Sequence, residues 1–480
     1  MKSQLTMPTT NTNDINRIFK LQSATDNLMR LRSTTAAERL AKVRKVKQFL
    51  LKQENIKRLT DALHSDLRKP AVESEANEWS PVMLSIVHIE ENLRKWMREK
   101  PVDTPLAMSG LSSRIKYESK GAVLILAPWN YPFQIVLVPL LHAITAGNAA
   151  IVKPSEFAPA TADFLHEMLS GMFPENEVAF VFGEAEAATA LLELPFHHIF
   201  FTGSPAIGKK VMAAASKHLT SVTLELGGKS PVIVHDSYDM VTAARKIAWA
   251  KTMNCGQTCI APDYVMLPKA SRNAFVAAYQ SAINEFFNSD GKGVAASMYY
   301  PRIINVRQFA RIKSLIDQAV GAGAEVLCGG ETDENDKFIA PTVLGNVNQE
   351  MNIMREEIFG PVLPVMEYDS IDDAINQVNA LERPLAMYVL SKNSKVTNRI
   401  LQHTTSGGVG INELMVTSVN PALPFGGVNH SGMGRANGEA GFIAFSNERG
   451  IVVRHWGTFS LLYPPYKNWV ISWMKRLVRW

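Results

Sequence analysis

The feature that constrains the fold most is a series of short apolar runs between residues 121 and 204, each of which ends in turn residues. Helical segments separate these runs. An apolar run without polar alternation is typical of a strand that is buried on both faces. Strands that alternate with helices form a parallel sheet with helices on both sides. We therefore predict an α/β fold, with strands within residues 121–128, 148–155, 178–183 and 198–204.

The length of the chain predicts more than one domain. At 480 residues it exceeds what one hydrophobic core usually holds. Residues 14–99 show the apolar spacing of several helices and precede the first α/β unit, which ends near residue 226. A second α/β unit begins at residue 227 and extends to about residue 428. Residues 101–120 and the segment from residue 429 onward carry further strand patterns.

Composition excludes several classes of protein. Hydrophobic residues make up 46% of the chain, so it is not mostly disordered. A net charge of +5 is too small for the dense basic face of a nucleic-acid-binding protein. Three cysteines are too few for a disulfide framework. The N-terminus lacks the apolar core of a secretory signal, and the longest apolar stretch, residues 133–151, is interrupted by polar and helix-breaking residues. We therefore expect a cytoplasmic location.

Three side chains in loops or at predicted strand ends carry reactive groups, although each has a purely structural alternative. Cys259 lies in the loop NCGQTCIAP, where backbone amides can face its thiol, but most cysteines are small buried hydrophobes. Glu225 lies between two leucines, where desolvation would suit its carboxylate to general-base work, whereas a lone strand Glu usually faces outward. The Asn130 amide can stabilise an oxyanion or hold a turn bounded by prolines.

A glycine-containing segment, Gly203 to Lys210, joins a predicted strand to a helix. Its backbone amides and the helix N-terminus suit a phosphate group. The segment nearly matches the phosphate loop of nucleotide hydrolases, but Lys210 stands where Ser or Thr would bind magnesium. A nucleotide hydrolase is therefore an alternative function, and a plain strand-to-helix turn is an equally good structural interpretation. The loop REEIFGPV offers Glu357, which could bind ribose hydroxyls, together with Phe359.

The order of these segments is more specific than any one of them. The sequence contains PWNYP, KPSE, FTGSPAIG, LELGGKSP, GQTC, EEIFGP and PFGG in that order, and in this it resembles the aldehyde dehydrogenase superfamily over about residues 25–455. CGQTCIAPDYV and the ending from SGMG to AFS resemble the class 3 branch, which includes fatty, aromatic and bacterial coniferyl aldehyde dehydrogenases. The resemblance implies a Rossmann-like NAD(P)-binding domain (1–100 and 121–226), a catalytic domain (227–428) and a small oligomerisation element (101–120 and 429–480) in a homodimer.

The resemblance also implies an activity. NAD or NADP would oxidise a hydrophobic aldehyde, aromatic or aliphatic, to its acid, and a substrate like coniferyl aldehyde is one candidate. Cys259 would attack the aldehyde to form a thiohemiacetal, and the Asn130 amide and the Cys259 N–H would hold the oxyanion. Glu225 would activate the water that hydrolyses the later thioester. Cofactor contacts are implied for Trp129, Lys153, Glu156, Gly203, Ser204, Gly208, Leu226, Glu357 and Phe359.

Further expectations concern the cofactor and the departures from the branch. NAD is favoured because Glu156, near the adenosine ribose, would repel a 2′-phosphate, and no metal site is implied. A non-catalytic family member is the competing class, but it would not need Cys259, Glu225 and Asn130 intact.

Cys255 stands where class 3 members usually have a small residue, which raises the hypothesis of a Cys255–Cys259 disulfide under oxidation. Residues 411–418, INELMVTS, also depart from the branch near the substrate mouth.

The C-terminal tail, Tyr466 to Trp480, has the pattern of an amphipathic helix. It contains no acidic residue and carries four of the five net positive charges, so the rest of the chain is close to neutral. We predict that the tail docks on the partner subunit of a dimer. The alternative is peripheral contact with an anionic membrane surface. Its predicted apolar face consists of Trp469, Val470, Trp473, Met474, Leu477 and Trp480, opposite Lys475, Arg476 and Arg479.

Overall fold

The computed structural model of the chain describes residues 9–457 and 463–477, without the side-chain surroundings of Ala107 and Leu477. The helices are α1 (Thr12–Ser23), α2 (Thr25–Arg32), α3 (Ala36–Leu50), α4 (Gln53–Leu67), α5 (Ala71–Ser74), α6 (Ser80–Trp96), α7 (Gln134–Ala146), α8 (Pro159–Ser170), α9 (Ala185–Leu192), α10 (Pro205–Ser216), α11 (Met240–Thr252), α12 (Arg272–Phe287), α13 (Val306–Gly321), α14 (Asn352–Arg355), α15 (Ile371–Asn379), α16 (Ser394–His403), α17 (Gly438–Ala444) and α18 (Asn468–Leu477).

The strands are β1 (Lys100–Val102), β2 (Leu111–Ser119), β3 (Ala122–Leu126), β4 (Ala149–Lys153), β5 (Val178–Phe180), β6 (His198–Gly203), β7 (Ser221–Leu226), β8 (Pro231–Val234), β9 (Tyr264–Pro268), β10 (Glu325–Cys328), β11 (Thr332–Asp333), β12 (Phe338–Ile339), β13 (Thr342–Gly345), β14 (Val362–Tyr368), β15 (Ala386–Leu390), β16 (Gly408–Ile411), β17 (Gly432–Met433) and β18 (Ser446–Arg454).

The first sheet contains all four strands that the apolar runs predict. Its order is β17-β7-β6-β3-β4-β5, and every pairing from β7 to β5 is parallel. The α/β fold is therefore confirmed. Strand β17 is an antiparallel edge in which Gly432 pairs with Glu225. A piece of the segment assigned to the C-terminal element (429–480) thus completes this sheet, and the domain boundaries stay a prediction.

Helices α3, α4 and α6 pack on one side of this sheet, and α1 packs on the other. Helix α3 begins at Thr35, whose side chain forms a capping box with Glu38, so the first-turn amides are satisfied. Its apolar residues Val43 and Val46 are fully buried in a cluster that also includes residues of α4, α6, α7 and α8. Each such side chain contributes roughly 1.5–3 kcal/mol on burial, which is how the predicted helical spacing becomes a core.

The second sheet has the order β10-β13-β14-β9-β8-β15-β16, in which only the edge strand β10 is antiparallel. It belongs to the part of the chain predicted as the second α/β unit. Two further hydrophobic clusters lie on its two faces. Strands β11 and β12 form a small separate hairpin.

A third sheet is antiparallel, with β2 between β1 and β18. The polar run SSRIKYES, residues 112–119, belongs to β2 and lies within the segment 101–120, for which the sequence shows a strand pattern. The tail helix α18 lies beside the 3₁₀ turn Leu106–Met108. Among the side chains of α18 that the structure describes, that of Val470 is buried. No helix within the described residues combines the length and apolar character needed to cross a membrane.

Candidate active site

The carboxylate of Glu225 lies in an unusual environment at the end of β7. The residue is 5% exposed, and neither carboxylate oxygen has a hydrogen-bond partner. Burial raises its pKa well above the ordinary value, and the nearby charge of Arg435 only partly opposes this. The predicted outward-facing alternative is therefore wrong for this Glu. A carboxyl whose pKa is raised by burial has, once ionised, the property of a general base.

Cys259 follows a strained turn at the end of α11. Asn254 and Cys255 both adopt positive φ, +49° and +55°, although neither is glycine. The Cys259 thiol is partly exposed, and the backbone N–H groups of Cys259 and Ile260 face its sulfur. Burial, followed by the charges of Glu357 and Glu225, nevertheless raises its pKa to about 12. The thiol therefore needs a base before it can act as a nucleophile.

The loop after β3 brings Asn130 to the same place. Asn130 is buried, and its Nδ2 donates to the Gln257 carbonyl at 3.1 Å, which leaves its second N–H available. The neighbouring Tyr131 hydroxyl lies 2.8 Å from the Thr258 Oγ1. Hydrogen bonds of two consecutive residues, Asn130 and Tyr131, thus hold this loop against the loop of Cys259.

A cavity of about 220 Å³ joins Cys259 and Glu225, and Asn130 itself is not among its lining residues, although its neighbour Tyr131 is. Cys259, Glu225 and Tyr131 line it, and among its described lining residues Glu225 alone is charged. The rest of the lining is mainly apolar, with Leu84, Ile135, Trp249, Met415, Val419 and Phe425 among its members. A wider surface groove of about 580 Å³ lies elsewhere, around Gln349 and Gln377, and none of the predicted site residues lines it.

Two residues with implied cofactor contacts, Trp129 and Phe359, meet each other. The rings of Trp129 and Phe359 contact edge to face, with centroids 5.3 Å apart. Glu357 lies against Gly227, where a Cβ would come within 1.9 Å of the Glu357 Oε2, so only glycine permits this approach. Burial and the charge of Asp263 raise the Glu357 pKa to about 8.

The predicted phosphate segment lies at the start of α10. Gly203 ends β6, and Ser204 is the exposed N-cap residue, whose side chain does not cap the helix. Gly208 packs against Leu226, at a position where a Cβ would be 2.7 Å from the Leu226 Cδ2. The helix N-terminus is therefore held close to the sheet, where the positive end of its dipole favours an anionic group. At the end of β4, which β3 separates from β6 in the sheet, Lys153 Nζ lies 3.1 Å from Glu156 Oε2.

These features fit a dinucleotide. The carboxyl edge of the first sheet carries the N-terminus of α10, which suits phosphates, and polar groups at strand ends, which suit a ribose. The aromatic pair of Trp129 and Phe359 lies at the same edge, because Trp129 follows β3. The predicted site residues thus form two adjoining groups, one around the cavity and one along this edge. The structure brings together both groups that the motifs indicated separately.

Cys255 does not join them. Its side chain is fully buried, its sulfur lies 3.5 Å from the Tyr300 hydroxyl, and burial raises its pKa to about 12. It belongs to the hydrophobic cluster on one face of the second sheet, whereas Cys259 packs against the cluster on the other. The structure therefore does not support the Cys255–Cys259 disulfide hypothesis.

Sequence reasoning missed several charged residues around the site. Lys229 forms a buried ion pair with Asp263 and donates to the carbonyls of Ile353 and Glu356, which holds the loop that precedes Glu357. The sequence signal that could have indicated Lys229 was its position inside the LELGGKSP motif. The buried residues Lys69 and Glu78, next to Asn130, had no such signal because they lie in a segment rich in charged residues.

Comparisons with known proteins agree with this arrangement. The sequence profile described as "Aldehyde dehydrogenase family" matches residues 2–451. Human aldehyde dehydrogenase family 3 member B1 is 43% identical, over 92% of this chain and 94% of its own length. The 4,4'-diaponeurosporen-aldehyde dehydrogenase of Staphylococcus aureus is 40% identical, over 85% and 88%.

Solved structures extend the similarity to the fold. The substrate-bound state of Staphylococcus aureus AldH superposes with a TM-score of 0.90 at 36% identity, covering 97% of this chain and 99% of that one. A Mycobacterium tuberculosis aldehyde dehydrogenase complexed with NAD+ gives 0.85 at 29% identity, covering 94% and 92%. The predicted resemblance, including its class 3 character, is confirmed, and the chain belongs to the aldehyde dehydrogenase family of oxidoreductases.

Proposed function

We propose that this enzyme oxidises hydrophobic aldehydes to carboxylic acids through a covalent intermediate on Cys259, with NAD or NADP as the acceptor. The observation that carries the proposal is the shared cavity. It places a thiol and an unpartnered buried carboxyl together in an apolar lining. An uncharged aldehyde loses little solvation on entering such a space, whereas a charged one would lose much more.

The first step assigns a role to each group at the cavity. Because its pKa is raised to about 12, the Cys259 thiol holds its proton until a base removes it, and the ionised carboxylate of Glu225, which lines the same cavity, is that base. The sulfur attacks the carbonyl carbon, and the carbonyl electron pair moves to oxygen. The Asn130 amide and the Cys259 N–H donate to that oxyanion. The product of this step is a thiohemiacetal.

The second half of the reaction releases the acid. When bound, the dinucleotide supplies the hydride acceptor that turns the thiohemiacetal into a thioester. Glu225 releases the proton from the first step to solvent and then takes a proton from water, whose oxygen attacks the thioester carbon. The carbon–sulfur bond breaks, the acid leaves, and Cys259 regains its proton. Glu225 serves both proton transfers in its ionised form, and the burial that raises its pKa makes that form a stronger base.

We assign the dinucleotide to the carboxyl edge of the first sheet. Gly203, Ser204 and Gly208 would face the pyrophosphate, and Lys153 and Glu156 the adenosine ribose. Trp129, Leu226, Glu357 and Phe359 would surround the nicotinamide end. The relative complexed with NAD+ supports this cofactor class. NAD is favoured over NADP because the Glu156 carboxylate would repel a 2′-phosphate, although Lys153 pairs with it.

The test is a steady-state assay of reduced dinucleotide with each cofactor over a panel of aldehydes. Hexanal, benzaldehyde and coniferyl aldehyde represent the proposed class, and a carboxyl-bearing aldehyde is the control. We expect kcat/KM to rise by roughly threefold to fourfold for each methylene that enters the cavity. Preference for the charged control, or failure of every hydrophobic aldehyde, would contradict the proposed substrate class.

We also propose that the enzyme is a homodimer and that its tail docks on the second copy. Edge strand β18 and the exposed side chains of Trp469 and Trp473 support this surface. The part of the predicted apolar face at residues 478–480 lies outside the described residues. Light scattering on the full chain and on a chain ending at Tyr466 tests the proposal. We expect the shortened chain to dissociate more readily. Flotation of only the full chain with anionic vesicles would favour the membrane alternative.

A further inference from the structure

A cluster of charged residues that the reaction does not use lies directly behind the catalytic loops. Lys69 precedes α5, Glu73 lies within it, and Glu78 belongs to the π-helical turn Glu75–Trp79 that follows. The side chains of Lys69 and Glu78 are fully buried, and their Nζ and Oε1 atoms lie 2.7 Å apart. A π-helical turn is uncommon and often marks a functional part of a helix.

One side of this cluster holds the loop of Asn130. Lys69 Nζ donates to the Asn130 backbone carbonyl at 3.3 Å and lies 4.2 Å from the centre of the Tyr131 ring. The Glu78 Oε2 accepts from the backbone N–H groups of Phe133 and Gln134, at 3.2 and 2.9 Å, where α7 begins. The cluster therefore contacts the backbone at Asn130 and at the two residues that begin α7 just after it.

The other side holds the turn before Cys259. The Glu73 Oε1 accepts from the Asn254 N–H at 2.7 Å, and Asn254 is one of the strained residues with positive φ. The Asn254 side-chain amide in turn donates to the carbonyls of Asn130 and Gln257, at 2.8 and 3.1 Å. The Asn130 carbonyl thus accepts hydrogen bonds from both Lys69 and Asn254, and the bond from Asn254 joins the two loops.

Stability alone does not account for these charges. A buried ion pair loses so much hydration that apolar residues of similar size are often as stable or more so. Burial raises the pKa of Glu73 to about 7 and that of Glu78 above its ordinary range, and Lys69 opposes both shifts. The cluster instead fixes the positions of the two loops, because each charged side chain hydrogen-bonds to a backbone group in one of them.

We propose that Lys69, with Glu73 and Glu78, forms a positioning cluster that sets the Asn130 amide relative to the Cys259 thiol. The inference rests on the oxyanion role proposed above for Asn130. Lys69 acts through the Asn130 backbone and touches no reacting atom. A displacement of about 1 Å in such a group can cost a large factor in rate, so the rate of the chemical step depends on this cluster.

The test is a double-mutant cycle on the full enzyme. The paired variant Lys69→Met/Glu78→Gln removes both charges of the ion pair together and keeps an oxygen at position 78 for the two amides. We expect kcat to fall roughly 10- to 100-fold while the dissociation constant of the dinucleotide stays within twofold. In the Asn130→Ala background, the same pair should change kcat less than twofold, because the group that it positions is already gone.

A matched control is the half-buried pair of Lys42 and Glu177, which lies on α3 and before β5 with Nζ and Oε2 2.6 Å apart. Lys42→Met/Glu177→Gln should leave kcat unchanged. If the Lys69 pair does not fold, Glu78→Gln alone gives a smaller loss with the same dependence on Asn130.

The outcomes separate the two proposals. An unchanged kcat in the Lys69 pair overturns the positioning role. So does an equal loss with and without Asn130, which would show a general structural effect. If Asn130→Ala itself leaves kcat unchanged, the oxyanion role in the proposed function has failed instead.

Discussion

Two regions of this enzyme depart in opposite ways from the usual distribution of residues. Around the cavity, the carboxyl of Glu225 is buried without a hydrogen-bond partner. In the tail helix α18, Trp469 and Trp473 are more than half exposed, and Lys475 and Arg476 lie beside them in solvent. The first region places charge in an apolar space, and the second places aromatic surface in water.

The difference separates two kinds of cost. A buried, unpaired carboxyl destabilises the fold but acquires a raised pKa, which is useful for proton transfer. Exposed tryptophans cost the isolated chain little but leave apolar area for another surface. Changes in the first region should therefore alter chemistry strongly, and changes in the second should alter association with little effect on catalysis or folding.

The largest effect is expected from Cys259→Ala. Without the sulfur no covalent intermediate forms, and kcat should fall on the order of 10⁴- to 10⁶-fold. Dinucleotide binding, followed by fluorescence titration, should persist because the cofactor contacts lie along the sheet edge. Cys328→Ala, at the antiparallel edge strand β10, is the control and should remain active. Turnover in the Cys259 variant would end the nucleophile assignment.

Glu225→Gln should lower kcat by roughly 10²- to 10⁴-fold. In the wild type, activity should rise with pH as the carboxyl ionises, at a pH well above 4.5 because burial raises its pKa. The variant should lack that inflection in its pH–rate profile. Glu186→Gln, on the exposed side of α9, should retain the wild-type profile. An inflection that survives in Glu225→Gln would assign the base to another group.

Glu357→Gln should change the pH dependence of stability. The folded carboxyl has a pKa of about 8, against 4.5 for the unfolded chain, so between these values the folded state binds more protons. The contribution of the Glu357 carboxyl to the free energy of unfolding is therefore full below pH 4.5 and is lost as the pH rises to 8. The variant without cofactor should gain on the order of 2 kcal/mol at pH 8 relative to pH 5. Denaturant unfolding at both values checks this, and the exposed Glu350→Gln should show no such gain.

The smallest effect is expected in the tail. The double variant Trp469→Ser/Trp473→Ser should change the free energy of unfolding by less than about 0.5 kcal/mol, because both side chains are already exposed. Leu63→Ala, fully buried in α4, should cost roughly 2–5 kcal/mol by the same measurement. A large loss in the tail variant would mean that α18 belongs to the core, and the comparison between the two regions would fail.

The sequence predicted the first sheet because its signal is local. Each apolar run in residues 121–204 ends in its own turn, and the four strands lie where those runs do. The catalytic motifs were visible for the same reason, since Cys259, Glu225 and Asn130 each occur in a short contiguous segment. The edge strand β17 was not predicted because two residues, Gly432 and Met433, carry no periodicity.

By itself, the sequence determined the family, the alternation of strands and helices, and the chemical groups available at strand ends. These depend on residue types in contiguous segments. Tertiary structure alone decided that Cys255 faces Tyr300, that Glu225 is left unpaired, and that Lys69 reaches the carbonyl of Asn130. Such contacts join distant parts of the chain, and the burial that shifts a pKa exists only after those parts have packed together.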